Sequence, residues 1–476
     1  MRPLEALLLV VSLAAFLALT ISRLRAGRVA RVLPFAAGFM TGIQILLEGE
    51  RWQMAPAYTV AVALLAKSLA ATVSAPMADS ALRRFGRWGS VTLGVGLIAL
   101  SWSLPLAFPV FRLPPLTGPH SIGTLTYHWT DADRPEIFTA KPQDRREVMV
   151  QIWYPAKSNS SAQRAPYLQD GSVLAPVARL LGLPGWFLTH LKYAMTNAMP
   201  AAPMADGPAA FPVLIFSHGR GGVRQHNMFQ VEHLVSHGYI VAAIDHPHAA
   251  SGVDFPDGRR VNYDPRMSDR RFQDRVLPFL AQDVSFTLNQ LEAVNRSDPA
   301  GILTGRLDLQ RSGIFGVSLG GAIAAEACLR DARLRACLPM DVYMPADVVR
   351  EGLAQPTMWI SRDAATMRLE GWGQQDIVET QTTMRSVFRR LPGEGYLLLV
   401  WGMFHQNLSD FPYFVAFPLD VWLGLDGPIG GRRAHGIINA YSLAFFDRYL
   451  KNDTAQPLLA PEVADDPAVT LIVRRP

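Results

Sequence analysis

The spacing of apolar and polar positions divides the chain of 476 residues near residue 112. Before that point four apolar stretches follow one another, at roughly 4–21, 32–47, 54–73 and 91–111. A bilayer core of about 30 Å is crossed by about 20 apolar helical residues. The first, third and fourth stretches reach that length. The second is short and would stand nearly upright or thin the bilayer. The first lacks the small-x-small cleavage site of a removed signal peptide. Four in succession predict an all-α, four-span transmembrane unit over residues 1–112, ended by Arg112, Pro114, Pro115 and Pro119.

From residue 113 to 476 the pattern is that of a water-soluble domain without repeats. Residues 148–154 alternate as a half-buried strand does. Residues 211–216, 239–244, 313–317, 334–340, 358–361 and 396–401 are short apolar runs bounded by Gly, Pro or Asp, the signature of strands buried on both faces. Helical periodicity lies between them at 228–237, 279–294, 319–329 and 436–450. Such alternation predicts an α/β domain built on a mainly parallel sheet. Residues 169–199 interrupt the rhythm, with Leu174, Val177, Leu180, Leu181, Trp186, Phe187 and Leu191 separated by Pro and Gly. They read as a pair of helices packed on the sheet, or as an apolar cap beside a binding site.

Composition narrows the picture further. Charged residues make up 18% of the chain, below the roughly 25% of soluble proteins, and the deficit is concentrated in the first 112 positions. Two cysteines exclude a disulfide scaffold. The net charge of +5 rests on arginine, since only five residues are lysine, and no basic run of nucleic-acid-binding length occurs. Arg23, Arg25, Arg28 and Arg31 fall between stretches one and two, and Arg83, Arg84 and Arg87 between three and four. Residues 48–53 hold two acids and one arginine. Arginine-rich loops stay cytoplasmic, so the expectation is an integral membrane protein, of bacterial inner-membrane type, with its large domain on the non-cytoplasmic side. Lys67 lies near enough to a span end to snorkel, and Trp52, Trp88 and Trp102 fit an interfacial belt.

The chemistry is carried by Gly316-Val317-Ser318-Leu319-Gly320, followed by Gly321, a G-x-S-x-G between an apolar run and a helical pattern. That context is the one a nucleophile elbow requires. A serine needs a base, itself held by an acid. In this arrangement the chain order is serine, acid, histidine. Of eleven histidines only His405 and His435 follow Ser318, and His405 leaves the end of an apolar run. Asp341 and Asp363 each end a predicted strand, and spacing does not choose between them. An oxyanion needs two preorganised N–H donors. Leu319 supplies one, and the glycine-rich Ser217-His218-Gly219-Arg220-Gly221-Gly222 loop the other.

These segments together resemble the platelet-activating-factor acetylhydrolase family, the plasma and type II group. The resemblance is carried by Val150-Gln151-Ile152-Trp153-Tyr154-Pro155, Phe216-Ser217-His218-Gly219-Arg220-Gly221, Ser236-His237-Gly238-Tyr239, the elbow, Met340-Asp341 and His405-Gln406-Asn407-Leu408-Ser409-Asp410-Phe411. It covers about residues 118–450 and leaves the amino-terminal unit out. It implies an α/β-hydrolase fold, no metal or other cofactor, Ser318 as nucleophile, His405 as base, Asp341 as acid, and Arg220 and Leu319 as oxyanion donors. It also implies cleavage of short acyl groups from the sn-2 position of phospholipids. Arg220 stands where the mammalian members carry an apolar residue, and the membrane unit is foreign to the secreted ones. Asp245-His246-Pro247-His248 lacks further metal ligands at a useful spacing, and Cys328 and Cys337 read as buried thiols. The expectation is a membrane-anchored serine ester hydrolase acting on a lipid or small ester, with no nucleic-acid partner. The alternatives are a general carboxylesterase or polyesterase, and a non-catalytic membrane sensor.

Overall fold

Helices apolar around their whole circumference make up the amino-terminal part: Pro3–Thr20, Arg28–Glu48, Ala55–Val73 and Ala81–Ala107. The structure, a computed structural model, describes residues 1–21, 27–73, 81–159, 161–168, 171–460 and 466–475. Among these, Pro3–Thr20, Arg28–Glu48 and Trp88–Ala107 are long and apolar enough to cross a membrane. The second helix is not short: residues 28–31 and Glu48 flank the apolar run 32–47 and bring the helix to 21 residues, about 30 Å at 1.5 Å per residue. Its outward side chains include Phe39, Leu46 and Leu47, more than two-thirds exposed, as a lipid-facing surface would have them. Inside, Leu8, Leu9, Met54 and Ala57 pack together. Arg51, buried, binds Glu5 through two guanidinium nitrogens at 2.6 and 2.7 Å. Of the arginines behind the expected orientation, Arg23, Arg25 and the side chains of Arg83, Arg84 and Arg87 lie outside the described residues.

The chain divides into two compact units, one of residues 1–110 with 414–419, the other of 111–413 with 420–476. The second is built on a sheet. Its strands are β1 (Ser121–Pro135), β2 (Arg145–Ala156), β3 (Ala198–Pro200), β4 (Phe211–Ser217), β5 (Ile240–Asp245), β6 (Gly252–Asp254), β7 (Arg260–Asn262), β8 (Leu307–Val317), β9 (Leu334–Met340), β10 (Thr357–Ser361), β11 (Gly395–Val400) and β12 (Val469–Arg474). Ten form one sheet in the order β12-β11-β10-β9-β8-β4-β5-β2-β1-β3, while β6 and β7 pair separately. The six central strands from β11 to β5 run parallel. β2 joins β5 antiparallel, β1 joins β2 antiparallel, and β12 closes the far edge antiparallel. The sheet is therefore mixed around a parallel centre.

The central strands read as apolar runs because nearly every position in them is buried. Helices Arg270–Arg296 and Leu319–Arg330 pack together against them, and Met228–Ser236 and Gly431–Leu450 form a second pair. The expected helix pair at 169–199 is corrected. It is one short helix, Leu174–Leu180, flanked by the 3₁₀ turns Gly171–Val173 and Thr189–Tyr193. Gly182, Pro184 and Gly185 follow the helix too closely for a second one to form. Cys328 and Cys337 are buried free thiols.

Candidate active site

Four adjacent parallel strands end on one edge of the sheet, where open α/β sheets present their ligand sites. Ser318 follows β8, Asp341 follows β9 and His405 lies five residues past β11. Ser318 holds φ +56° and ψ −126°, a conformation that a side-chain-bearing residue keeps only where its surroundings over-determine it. Its N–H donates to Met340 O at 2.9 Å, and its carbonyl accepts from Gly321 and Ala322 at the start of helix Leu319–Arg330. The glycines around it make this turn sterically possible. A Cβ on Gly316 would lie 2.3 Å from Gly320 O, and one on Gly320 would lie 2.0 Å from Ser217 O. Backbone cannot yield to that overlap. Gly320→Ala is expected to cost at least about 3 kcal/mol, read as a lower melting temperature or loss of folded protein on expression.

The candidate base and acid come together directly. His405 Nδ1 lies 2.6 Å from Asp341 Oδ2. Asp341 is buried, whereas the His405 side chain is 22% exposed. Asp341 Oδ1 also accepts from Ser361 Oγ at 3.0 Å and Arg362 Nε at 3.2 Å. Burial works to raise this carboxyl's pKa, but the Arg362 charge and the His405 and Ser361 hydrogen bonds outweigh it and hold it below the usual carboxylate range. Asp363, the other candidate acid, accepts from Thr366 N–H at 2.7 Å and caps helix Ala364–Leu369. His435 is buried within helix Gly431–Leu450, its two nitrogens on Tyr413 Oη and Ser409 O.

Of the two candidate oxyanion donors, Leu319 directly follows the serine and Arg220 lies in the loop after β4. Leu319 opens its helix, where an N–H has no intrahelical acceptor. In the loop after β4, Gly221 and Gly222 donate to Ala249 O and Gly219 O, and among the described residues no backbone acceptor is given to Arg220 N–H. A Cβ on Gly219 would stand 3.4 Å from Ser318 Cβ, so this loop closely adjoins the serine. Leu180, from the short helix at 174–180, reaches Gly221 and is half exposed. That gives the site an apolar rim.

Beneath the loop lies a feature the sequence did not reveal. Ser217 Oγ is 2.8 Å from His246 Nε2, and His246 Nδ1 is 2.8 Å from Asp283 Oδ2. Arg146 grips Asp283 through Nε and Nη2 at 3.0 and 2.7 Å. The His246, Asp283 and Arg146 side chains have no exposure, so no substrate reaches this second Ser-His-Asp chain. It stiffens the strand end that carries the loop. His246 of the Asp245-His246-Pro247-His248 segment is thus engaged in hydrogen bonds rather than aimed at an open cation site. His218 donates from Nδ1 to Gly219 O at 2.7 Å and accepts His246 N–H at 3.2 Å. Burial, then His246, pushes its pKa down to about 4.

The chain is similar to several known proteins. A profile of the family described as "Platelet-activating factor acetylhydrolase, isoform II" matches residues 107–256 and 279–466. A platelet-activating factor acetylhydrolase of Cavia porcellus is 26% identical over 369 residues, 72% of this chain and 78% of that protein. A probable 1-alkyl-2-acetylglycerophosphocholine esterase of Arthroderma benhamiae is 26% identical over 280 residues, 56% of this chain and 67% of that protein. Among solved structures, a ferulic acid esterase from Streptomyces cinnamoneus superposes with a TM-score of 0.62 at 28% identity. It covers 76% of this chain and 100% of its own.

Proposed function

The chain belongs to the platelet-activating factor acetylhydrolase isoform II family, and on that premise we propose a membrane-anchored serine esterase that removes short acyl groups from the sn-2 position of phospholipids. Membership makes it an ester hydrolase. In the proposed mechanism Ser318 Oγ attacks the ester carbonyl as His405 Nε2 takes its proton. Asp341 fixes the imidazole through Nδ1 and stabilises the imidazolium. The N–H groups of Leu319 and Arg220 receive the oxyanion. Collapse expels the alcohol, protonated by His405, and leaves an acyl-Ser318. Water deprotonated by His405 then attacks the acyl carbon and releases the acid. Asp341, held below the usual carboxylate range, stays ionised throughout the working range, so its own titration does not shape the kcat/KM–pH profile there.

The observation that carries this reading is the 2.6 Å His405–Asp341 contact on the sheet edge where a serine is held at φ +56°. The relatives' names support a phospholipid ester. The three membrane-length helices support anchoring of residues 1–112, with the 113–476 domain on the non-cytoplasmic side as the arginine distribution suggests. The ferulic acid esterase likeness favours a second reading, a carboxylesterase or polyesterase acting on other esters. Membranes bearing wild type or Ser318→Ala, given an sn-2 acetyl phospholipid and p-nitrophenyl butyrate, separate the two. Serine-dependent cleavage of both is the expected result. Cleavage of the nitrophenyl ester alone would keep the esterase and overturn the phospholipid assignment.

A further inference from the structure

The contacts of the triad histidine do not end at Asp341. Strands β8, β9 and β10 are each followed directly by a polar residue, Ser318, Asp341 and Arg362 in turn, and His405 comes from the loop after β11. The Arg362 side chain is completely buried. It donates from Nε to Asp341 Oδ1 at 3.2 Å, with Nη2 3.1 Å from Oδ2. Through Nη1 it also pairs with Glu370. Glu370 returns to the base, its two carboxylate oxygens accepting His405 N–H at 3.2 and 3.3 Å. The contacts therefore close on themselves: His405 side chain to Asp341, Asp341 to Arg362, Arg362 to Glu370, and Glu370 to the His405 backbone. Trp372 closes the layer, with Arg362 4.4 Å and His405 5.5 Å from it by ring centroid. Thr366, in the same segment, accepts Gly402 N–H at 3.1 Å three residues before the base.

We infer that Arg362 and Glu370 are positioning residues of the esterase site, holding the direction of the His405 imidazole and setting the net charge it faces. The inference rests on Ser318, His405 and Asp341 being the reactive set. Burying an arginine carries a desolvation cost that an apolar residue would avoid, so packing alone does not account for it. The guanidinium lies between two carboxylates, and the three groups together carry one negative charge. That charge balances the imidazolium formed as the serine gives up its proton. Among the described residues Asp341, Glu370 and His226 are the titratable groups that face His405, with Arg362 paired to both carboxylates. Burial pushes the pKa of His226 down to about 3, so it stays neutral.

Charge arithmetic gives the two residues opposite signatures. Arg362→Met leaves two carboxylates uncompensated and favours the imidazolium, so the acid limb of kcat/KM should move up by about one pH unit. Glu370→Gln leaves the arginine charge less compensated, and the limb should move down by a similar amount. A misdirected imidazole should lower kcat about 10²-fold in Arg362→Met, with KM nearly unchanged. Arg362→Lys should restore the limb, since it keeps the charge, but not the full kcat, since it lacks the fork.

The test is the kcat/KM–pH profile of the full chain in detergent on p-nitrophenyl butyrate, with thermal melts of each variant. Opposite displacements support the inference. Limbs that stay put, or move the same way, while kcat falls in step with melting temperature would reduce both residues to scaffold and overturn it. Should Arg362→Met fail to fold, Glu370→Gln carries the test alone, being near-isosteric at a side chain 15% exposed. Ser318→Ala in the same preparation separates the failures: activity in that variant sinks the triad, whereas its loss beside unmoved pH limbs sinks only the ring.

Discussion

Ser318→Ala is expected to lower kcat by at least about 10⁴-fold, leaving what oxyanion donors and substrate binding alone provide. The size of the loss follows from what the alanine removes and what it keeps. The backbone bonds of residue 318, to Met340 O, Gly321 N and Ala322 N, do not involve its hydroxyl. The positive φ is imposed by Gly316 and Gly320 packing against backbone and persists. The variant should therefore fold with a melting temperature within a few degrees of wild type. A fluorophosphonate probe should label wild type and fail to label the variant, because the phosphonyl adduct would form on the Ser318 hydroxyl oxygen. Turnover within tenfold of wild type, with an intact melt, would remove Ser318 as nucleophile. Wild type inactive on every ester tried would instead revive the membrane-sensor alternative.

The parts of the molecule legible in the sequence share a physical property: their signal is local. Strands β4, β5 and β11 read as short apolar runs because both of their faces are buried. The elbow announced itself because a tight strand-to-helix turn excludes Cβ atoms at fixed positions around one serine. β1 escaped notice because a strand near the sheet edge carries polar residues on its exposed side, as Thr126, His128 and Thr130 do. Helix Gln374–Arg390 escaped because its buried stripe is only Ile377, Thr380, Met384, Val387 and Phe388 among many polar positions. At the site, Arg362, Glu370 and the Ser217–His246–Asp283 chain were invisible for another reason. Apart from the Arg362–Glu370 pair, their partners lie 21 to 37 positions away along the chain, and pairing across such gaps leaves no periodicity. One clue was available: an arginine ending the apolar run before Asp363 is an expensive residue to bury, and its partner could have been sought.

The choice between the two acids yields the second large effect. Asp341→Asn is expected to lower kcat about 10⁴-fold, because an amide facing Nδ1 no longer holds the imidazole in the tautomer that leaves Nε2 free to accept a proton. It also removes the negative charge that stabilises the imidazolium. Asp363→Asn should leave kcat within about twofold, since asparagine caps a helix as well as aspartate does and the Thr366 N–H still finds an acceptor. Stability distinguishes a chemical effect from a structural one. Breaking a buried ion pair by removing one partner typically costs about 3–5 kcal/mol. Here Arg362 keeps Glu370, and the amide oxygen that Asp341→Asn leaves in place can still accept from Ser361, so the loss should fall below that range. A folded Asp341→Asn with nearly unchanged KM and a collapsed kcat assigns the acid. The reverse outcome, with Asp363→Asn inactive and Asp341→Asn nearly normal, would place the acid on the helix cap and leave the 2.6 Å contact to His405 without a role in catalysis.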